Sequence, residues 1–129
     1  MDQDKFKAIY AESRNGANSW IRHPVARRFI YSDGVQELAE VGIYWLLDII
    51  GTEGVDAMVK HPDSYLCQVD VIVKTDGTAE IEMKPSDDEP PILRREIDWT
   101  DMPEGKWTFF LADDEGTRAE VKLFLVSEY

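Results

Sequence analysis

The apolar positions of this chain follow two periods, and the change falls at Pro62. Before it, Val35, Leu38, Ala39, Gly42, Trp45, Leu46 and Ile49 recur at helical spacing. Val41, Ile43, Tyr44, Leu47 and Ile50 widen that stripe, which predicts a long central helix over about 33–50, covered on most sides. Asp33 is placed to cap it, with Gln36 completing a capping-box pattern. Gly42 costs a helix about 1 kcal/mol relative to Ala, so it is read as a point of close approach. Gly51 is read as the C-cap. "TEGVDAMVKHP" offers a short second helix that Pro62 ends. Upstream, "DKFKAIYAES" suits a short amphipathic helix and "RNGANS" a turn. Pro24 pushes His23 out of helical geometry, and "RRFIYS" reads as a short strand or an ordered connector.

After Pro62 the period becomes two. Tyr65, Cys67, Val69, Val71 and Val73 face one way, and Leu66, Gln68, Asp70, Ile72 and Lys74 the other. Asp76-Gly77 is a tight-turn signal, and "AEIEMK" alternates again. "ILRREIDW" is a third strand, placed near an edge because prolines precede it. "KWTFFLA" and "AEVKLFLV" form a last hairpin. The expected fold is one α+β domain over 1–129, its N-terminal helices packed on an antiparallel meander of about five strands spanning 65–126.

Composition alters this picture through charge. The formal net charge is −12, and it is unevenly placed. Residues 1–31 hold six basic side chains against three acidic ones, a balance of +3 that leaves −15 for the rest. Such acidity repels nucleic acid and anionic lipid and favours a basic partner. A single cysteine, Cys67, rules out an internal disulfide and fits a reducing, cytoplasmic compartment. No long apolar run predicts a membrane span, and the N-terminal segment lacks the pattern of a signal peptide.

Catalytic and cofactor motifs are missing: there is no HExxH, GxxxxGK[ST], GxSxG, CxxC or EF-hand loop. No metal site and no cofactor are therefore expected. Cys67 is read as a buried, inert thiol and His61 as a helix-end side chain. Asp48 is the one carboxylate in the apolar half of the long helix and needs a partner, for which Arg22, Arg27 and Arg28 are the candidates. His23 and these arginines with Asp33 and Asp48 therefore form either a structural clamp or an alternative site. The acidic candidates for partner binding are Glu80 and Glu82 on one strand, Asp87, Asp88 and Glu89 in one loop, and Asp113, Asp114 and Glu115 in another. Phe110, Phe124 and Val126 leave the last two strands apolar on both faces, which makes an apolar interface and a homodimer through it a further expectation.

Three segments together carry a resemblance. "WIRHPVARRFIYSDGVQELAEVGIYWLLDII", "VDVIVKTDGTAEIEM" and "VKLFLVSEY" resemble an uncharacterised domain family of phages, plasmids and bacterial chromosomes, over about residues 17–129. The matching positions include Arg22, His23, Asp33, Gly34, Trp45 and Asp48, and the family carries over no catalytic residue. The resemblance implies a mobile-element accessory factor in a bacterial host, of the kind that anti-CRISPR proteins represent. Joined to the acidity, it leads to the expectation of a non-enzymatic inhibitor that mimics DNA and occupies the nucleic-acid-binding surface of a basic host protein or nucleoprotein complex. Two alternatives stand beside it: a small enzyme built around His23, and a structural or regulatory subunit acting through the apolar sheet face.

Overall fold

The computed structural model describes all 129 residues and has α+β architecture. Helix α1 (Gln3–Ala11) leads into strands β1 (Trp20–Arg22) and β2 (Phe29–Ser32). Three short helices come next, α2 (Asp33–Leu38), α3 (Tyr44–Ile49) and α4 (Val55–Lys60). Strands β3 (Leu66–Val73), β4 (Ala79–Lys84), β5 (Leu93–Ile97), β6 (Gly105–Ala112) and β7 (Val121–Leu125) complete the chain, with a final turn over Val126–Glu128.

The expected long helix over 33–50 is two helices, α2 and α3, joined by a wide turn at Ala39–Ile43, and a second wide turn at Ile50–Gly54 leads into α4, the short helix expected before Pro62. Gly42 causes the first break. Its φ of 141° lies where side chains with a Cβ are strained, so it bends the path instead of admitting a neighbour. The close approach belongs to Gly51, where a Cβ would stand 2.8 Å from a ring carbon of Phe29. Gly51 is therefore a packing position, not a C-cap. The cap at the start of α2 is also corrected. Ser32 Oγ accepts the Val35 N–H at 3.1 Å, while the Asp33 carboxylate turns back to the N–H groups of Asn18 and Ser19. The Gln36 side chain, expected to close a capping box, reaches forward to Glu40 and Tyr44.

All seven strands join one sheet in the order β1-β2-β7-β6-β3-β4-β5. The expectation of about five antiparallel strands in a meander is corrected in count and in topology. β1 and β2 extend the sheet, and β2 pairs with β7 in parallel. Only β3-β4-β5 is a meander; the chain then crosses back along residues 98–104 to lay β6 on the other side of β3. Within that crossing Met102 is buried, and the Thr100 N–H donates to the Gly77 carbonyl at 2.8 Å. β5 lies at the sheet edge, as its flanking prolines predicted.

The period-two pattern sorts the two faces. Cys67, Val69, Val71, Ile81, Met83, Phe109, Leu111, Leu123 and Leu125 are buried against Val35, Leu38, Leu46, Leu47 and Met58 of the helices. The helices cover this face alone. The opposite face carries Gln68, Ile72, Glu80, Glu82, Thr108, Phe110, Lys122 and Phe124, all partly exposed. No helix is long and apolar enough to cross a membrane.

Candidate interaction surface

Two regions hold the chemistry that the core does not absorb: the uncovered sheet face and the loops at one sheet end. Register determines what shares the face. The row Arg94–Glu82–Asp70–Thr108 runs across β5, β4, β3 and β6. Its charges are internally matched. Arg94 Nε lies 2.8 Å from Glu80 and Nη2 lies 3.1 Å from Glu82, while Lys84 approaches Glu82 at 3.5 Å. Asp70 is fully buried in this face, accepting from Thr108 Oγ1 at 2.7 Å and from the Gln68 amide, with Lys106 at 3.5 Å. A buried carboxylate with that many donors is a cross-strand brace. Glu80 and Glu82, expected as partner-binding acids, are thus already paired on this face.

The other half of the face is aromatic. Phe110 and Phe124 sit opposite each other on β6 and β7 with ring centroids 5.8 Å apart. Tyr129 packs back against Phe110 at 5.0 Å and against Phe124 at 6.1 Å, and Trp20 meets Phe124 edge-on at 6.4 Å. Val126 does not extend this patch along β7, because the strand ends at Leu125 and Val126 begins the final turn. Phe110 and Phe124 are partly covered by the chain's own C-terminal tyrosine, so the bare apolar strip expected of this hairpin is narrower than its sequence implies.

Strand directions bring four connections to one sheet end: β1–β2 (23–28), α4–β3 (61–65), β4–β5 (85–92) and β6–β7 (113–120). The two acidic loops there lie about three strand spacings, roughly 14 Å, apart. Asp63, Asp87, Asp88, Glu89 and Glu115 are exposed and enter no ion pair. Asp114 is exposed and pairs with Lys122 at 3.2 Å. Asp113 is the exception among the loop acids, with a side chain only 1% exposed. It accepts from the backbone N–H groups of Gly116 and Arg118 and pairs with the Arg118 guanidinium at 2.9 Å. Burial raises its carboxyl pKa, but these donors outweigh burial and hold it below the usual range. Arg118 in turn donates to the carbonyls of Met58, His61 and Ser64, tying the β6–β7 loop to the end of α4.

The basic segment lies at the same end, on the β1 side. Asp48 does not bind an arginine. His23 Nε2 stands 2.8 Å from Asp48 Oδ1, and His23 Nδ1 accepts the N–H groups of Val25 and Ala26. Both ring nitrogens are occupied and the ring is buried, so His23 organises the β1–β2 turn and has no free nitrogen to serve as a base. Asp48 is mostly exposed, because the bend at Gly42 and the short helices turn it away from the core. Arg22 pairs with Glu120 at 2.9 Å, while Arg27 and Arg28 are exposed without a carboxylate partner. The clamp therefore operates through His23 and Arg22, and not through Arg27 or Arg28. Asp33 is held low by the Asn18 and Ser19 N–H groups and Arg14, against the upward push of burial. No cluster of three or more His, Cys, Asp or Glu side chains is arranged to hold a metal. Cys67 is buried, which pushes its thiol up to about 11.

One buried carboxylate lies in the "VKLFLVSEY" segment but not among the candidate site residues. Glu128 is buried, with Oε1 accepting from Ser32 Oγ at 2.5 Å and from the Leu125 N–H at 2.9 Å. Its carboxylate also lies 2.9 Å from where a Cβ on Gly34 would stand, which explains glycine there. The Ser-Glu-Tyr end and the Ser-Asp-Gly-Val turn are thus halves of one contact, as are the Arg-His and Leu-Leu-Asp segments through His23 and Asp48.

These features define a two-layer α+β domain with one uncovered sheet face and a charged sheet end. The chain belongs to a family of unknown function, DUF6876, whose model matches residues 11–129. No curated protein and no solved structure matches it.

Proposed function

We propose that this protein is a non-catalytic binding protein that docks its acidic sheet end, with the adjoining open face, against a basic surface of another protein. The observation that carries this is the gathering of Asp63, Asp87, Asp88, Glu89 and Glu115 at one sheet end, none of them in an ion pair, with the exposed Arg27 and Arg28 on the β1 side of that end. A strongly acidic body, net −12, speeds encounter with a basic groove and biases partner choice. The narrower form of the reading takes its setting from the sequence resemblance: an inhibitor of mobile-element origin that mimics DNA, anti-CRISPR-like, occupying the nucleic-acid-binding surface of a host defence nucleoprotein. Within that reading the work falls to Asp87, Asp88, Glu89 and Glu115, because Asp113, Asp114, Glu80 and Glu82 are already paired.

The test is capture of a partner from bacterial lysate at two salt concentrations, with the wild type and with Asp87, Asp88, Glu89 and Glu115 reversed to lysine. Capture should weaken steeply with salt and vanish on reversal while the thermal melt is unchanged. Capture that survives reversal removes the sheet end from the site. Duplex DNA added to the captured complex should release the partner; a complex indifferent to DNA leaves basic-surface binding and removes mimicry.

The aromatic half of the open face supports a second reading, a subunit that associates through Phe110 and Phe124. Sedimentation at high concentration reports a homodimer by that route, and Phe124→Lys should abolish it.

A further inference from the structure

The open face contains a cavity of about 260 Å³ at the β1–β7 corner, lined by Trp20, Phe124, Tyr129, Lys122, Asp114 and Glu128. Three aromatic rings meet here with two carboxylates and one cation. The chain's own Lys122 shows what the rings accept: its Nζ stands 5.3 Å from the centre of the Trp20 ring and 3.2 Å from Asp114 Oδ2. A cation over a ring face and beside a carboxylate is the arrangement that binds ammonium and guanidinium groups. The cavity holds more negative charge than Lys122 offsets. Glu128 is 7% exposed, and its Oε2 is buried with no hydrogen-bond partner. A buried, unpartnered carboxylate oxygen costs free energy unless a donor reaches it or a positive charge lies near.

We propose that this aromatic–acidic cavity is a receptor for one side-chain cation of the basic partner, an arginine in the first instance. The proposal rests on the partner being basic and deepens that reading by naming its anchor. Arginine fits better than lysine, because its planar guanidinium stacks on Trp20 or Tyr129 while its fork of N–H groups meets a carboxylate. Lys122 then acts as a built-in competitor. It occupies the Trp20 face when the site is empty and must yield when an external guanidinium enters.

The experiment is an NMR titration of the ¹⁵N-labelled full chain, reading the Trp20 indole N–H and the backbone of Lys122 and Phe124. The probe is Nα-acetyl-argininamide, with the neutral isostere Nα-acetyl-citrullinamide as control. Saturable shifts with the arginine probe and none with citrulline are expected. Trp20→Leu should remove them. Lys122→Gln should tighten binding about two- to five-fold, the worth of one cation–π contact no longer opposed. Equal shifts from both probes, or weaker binding by Lys122→Gln with its spectrum otherwise native, overturns the proposal. An anionic probe, Nα-acetyl-glutamate amide, shifting the same signals through Lys122 would overturn it as well. Failure here is separable from failure of the acidic-end reading. If lysate capture depends on Asp87, Asp88 and Glu89 and the arginine probe shifts nothing, the cavity proposal falls alone. If the probe binds and lysate capture is indifferent to charge reversal, the cavity stands and the sheet-end reading falls.

Discussion

The tripeptide Asp-Asp-Glu occurs twice, at 87–89 and at 113–115, in two hairpin loops that emerge from the same end of the sheet. The first copy is wholly exposed and unpaired. The second begins with a carboxylate that is almost fully buried and bound to Arg118. The same three letters therefore serve a surface in one place and the fold in the other. The cause is the chain immediately C-terminal to each copy. Three residues beyond Asp113 stands Gly116 at φ 71°, and two beyond that Arg118, itself at φ 61°. That turn aims two N–H groups and a guanidinium back at one carboxylate. The first copy runs instead into Pro90 and Pro91, which supply no such donors.

The comparison breaks most visibly if Asp113 is changed. Asp113→Ala leaves Arg118 partly buried without its counter-charge and frees two backbone donors. A loss of about 3 kcal/mol is expected, the scale for removing one partner of a buried pair. Calorimetry should show the melting point falling by roughly 10 °C. The same change at Asp87 should leave the melt within experimental scatter. A small effect at Asp113 would mean that the β6–β7 loop is held by its backbone alone.

His23→Ala comes next. It removes the acceptor of the Val25 and Ala26 N–H groups together with the contact to Asp48, and about 2 kcal/mol is expected from the donors left unmet. Urea denaturation reads it directly. If His23→Ala instead abolished partner capture with stability intact, the ring would belong to a functional site.

The pH dependence sharpens the contrast further. Asp113 and Asp33 both have carboxyls held below their ordinary range in the folded chain. A lowered folded pKa contributes stability that is fully present above the unfolded value, about 3.9, and is lost as pH falls through the folded value. Stability should therefore hold at neutral pH and decline below about pH 4. Asp113→Asn should flatten that decline, and neutralising Asp87 and Asp88 should not.

These residues also mark how far the fold is legible in the sequence. The period of two over 66–73 and 79–84 predicted the buried faces of β3 and β4, because alternation is a local property of a half-buried strand. The parallel pairing of β2 with β7 joins residues some ninety positions apart and left no local trace. The expected continuous helix over 33–50 fails because the apolar spacing persists across Gly42 while the backbone there turns to positive φ. A lone glycine among helix formers can mean contact or bend, and only the structure separates Gly42 from Gly51. For the site, the position of the acidic loops was legible, but their shared sheet end depends on strand order. The role of Asp113 had a local signal, an Asp three residues before Gly, which is a turn signature. The pairing of Asp48 had none: Arg22, Arg27 and Arg28 were the expected partners, and His23 beside them takes that place.

The smallest expected effect on stability is the most informative about function. Replacing Asp87, Asp88 and Glu89 by Asn, Asn and Gln removes three charges and no hydrogen bond made by their side chains. Surface changes of that kind alter stability by about 0.5 kcal/mol or less. Removing three unpaired like charges also relieves repulsion, so any change should be a slight gain. The partner's on-rate, measured by surface plasmon resonance at low salt, should nevertheless fall several-fold, and its dependence on ionic strength should become shallower. Neutralisation differs from reversal in adding no repulsion, so a loss seen with Asn and Gln is a loss of attraction alone. An unchanged on-rate and salt slope would make the exposed Asp-Asp-Glu a solvating loop, and the two copies would then differ only in that one of them holds the fold.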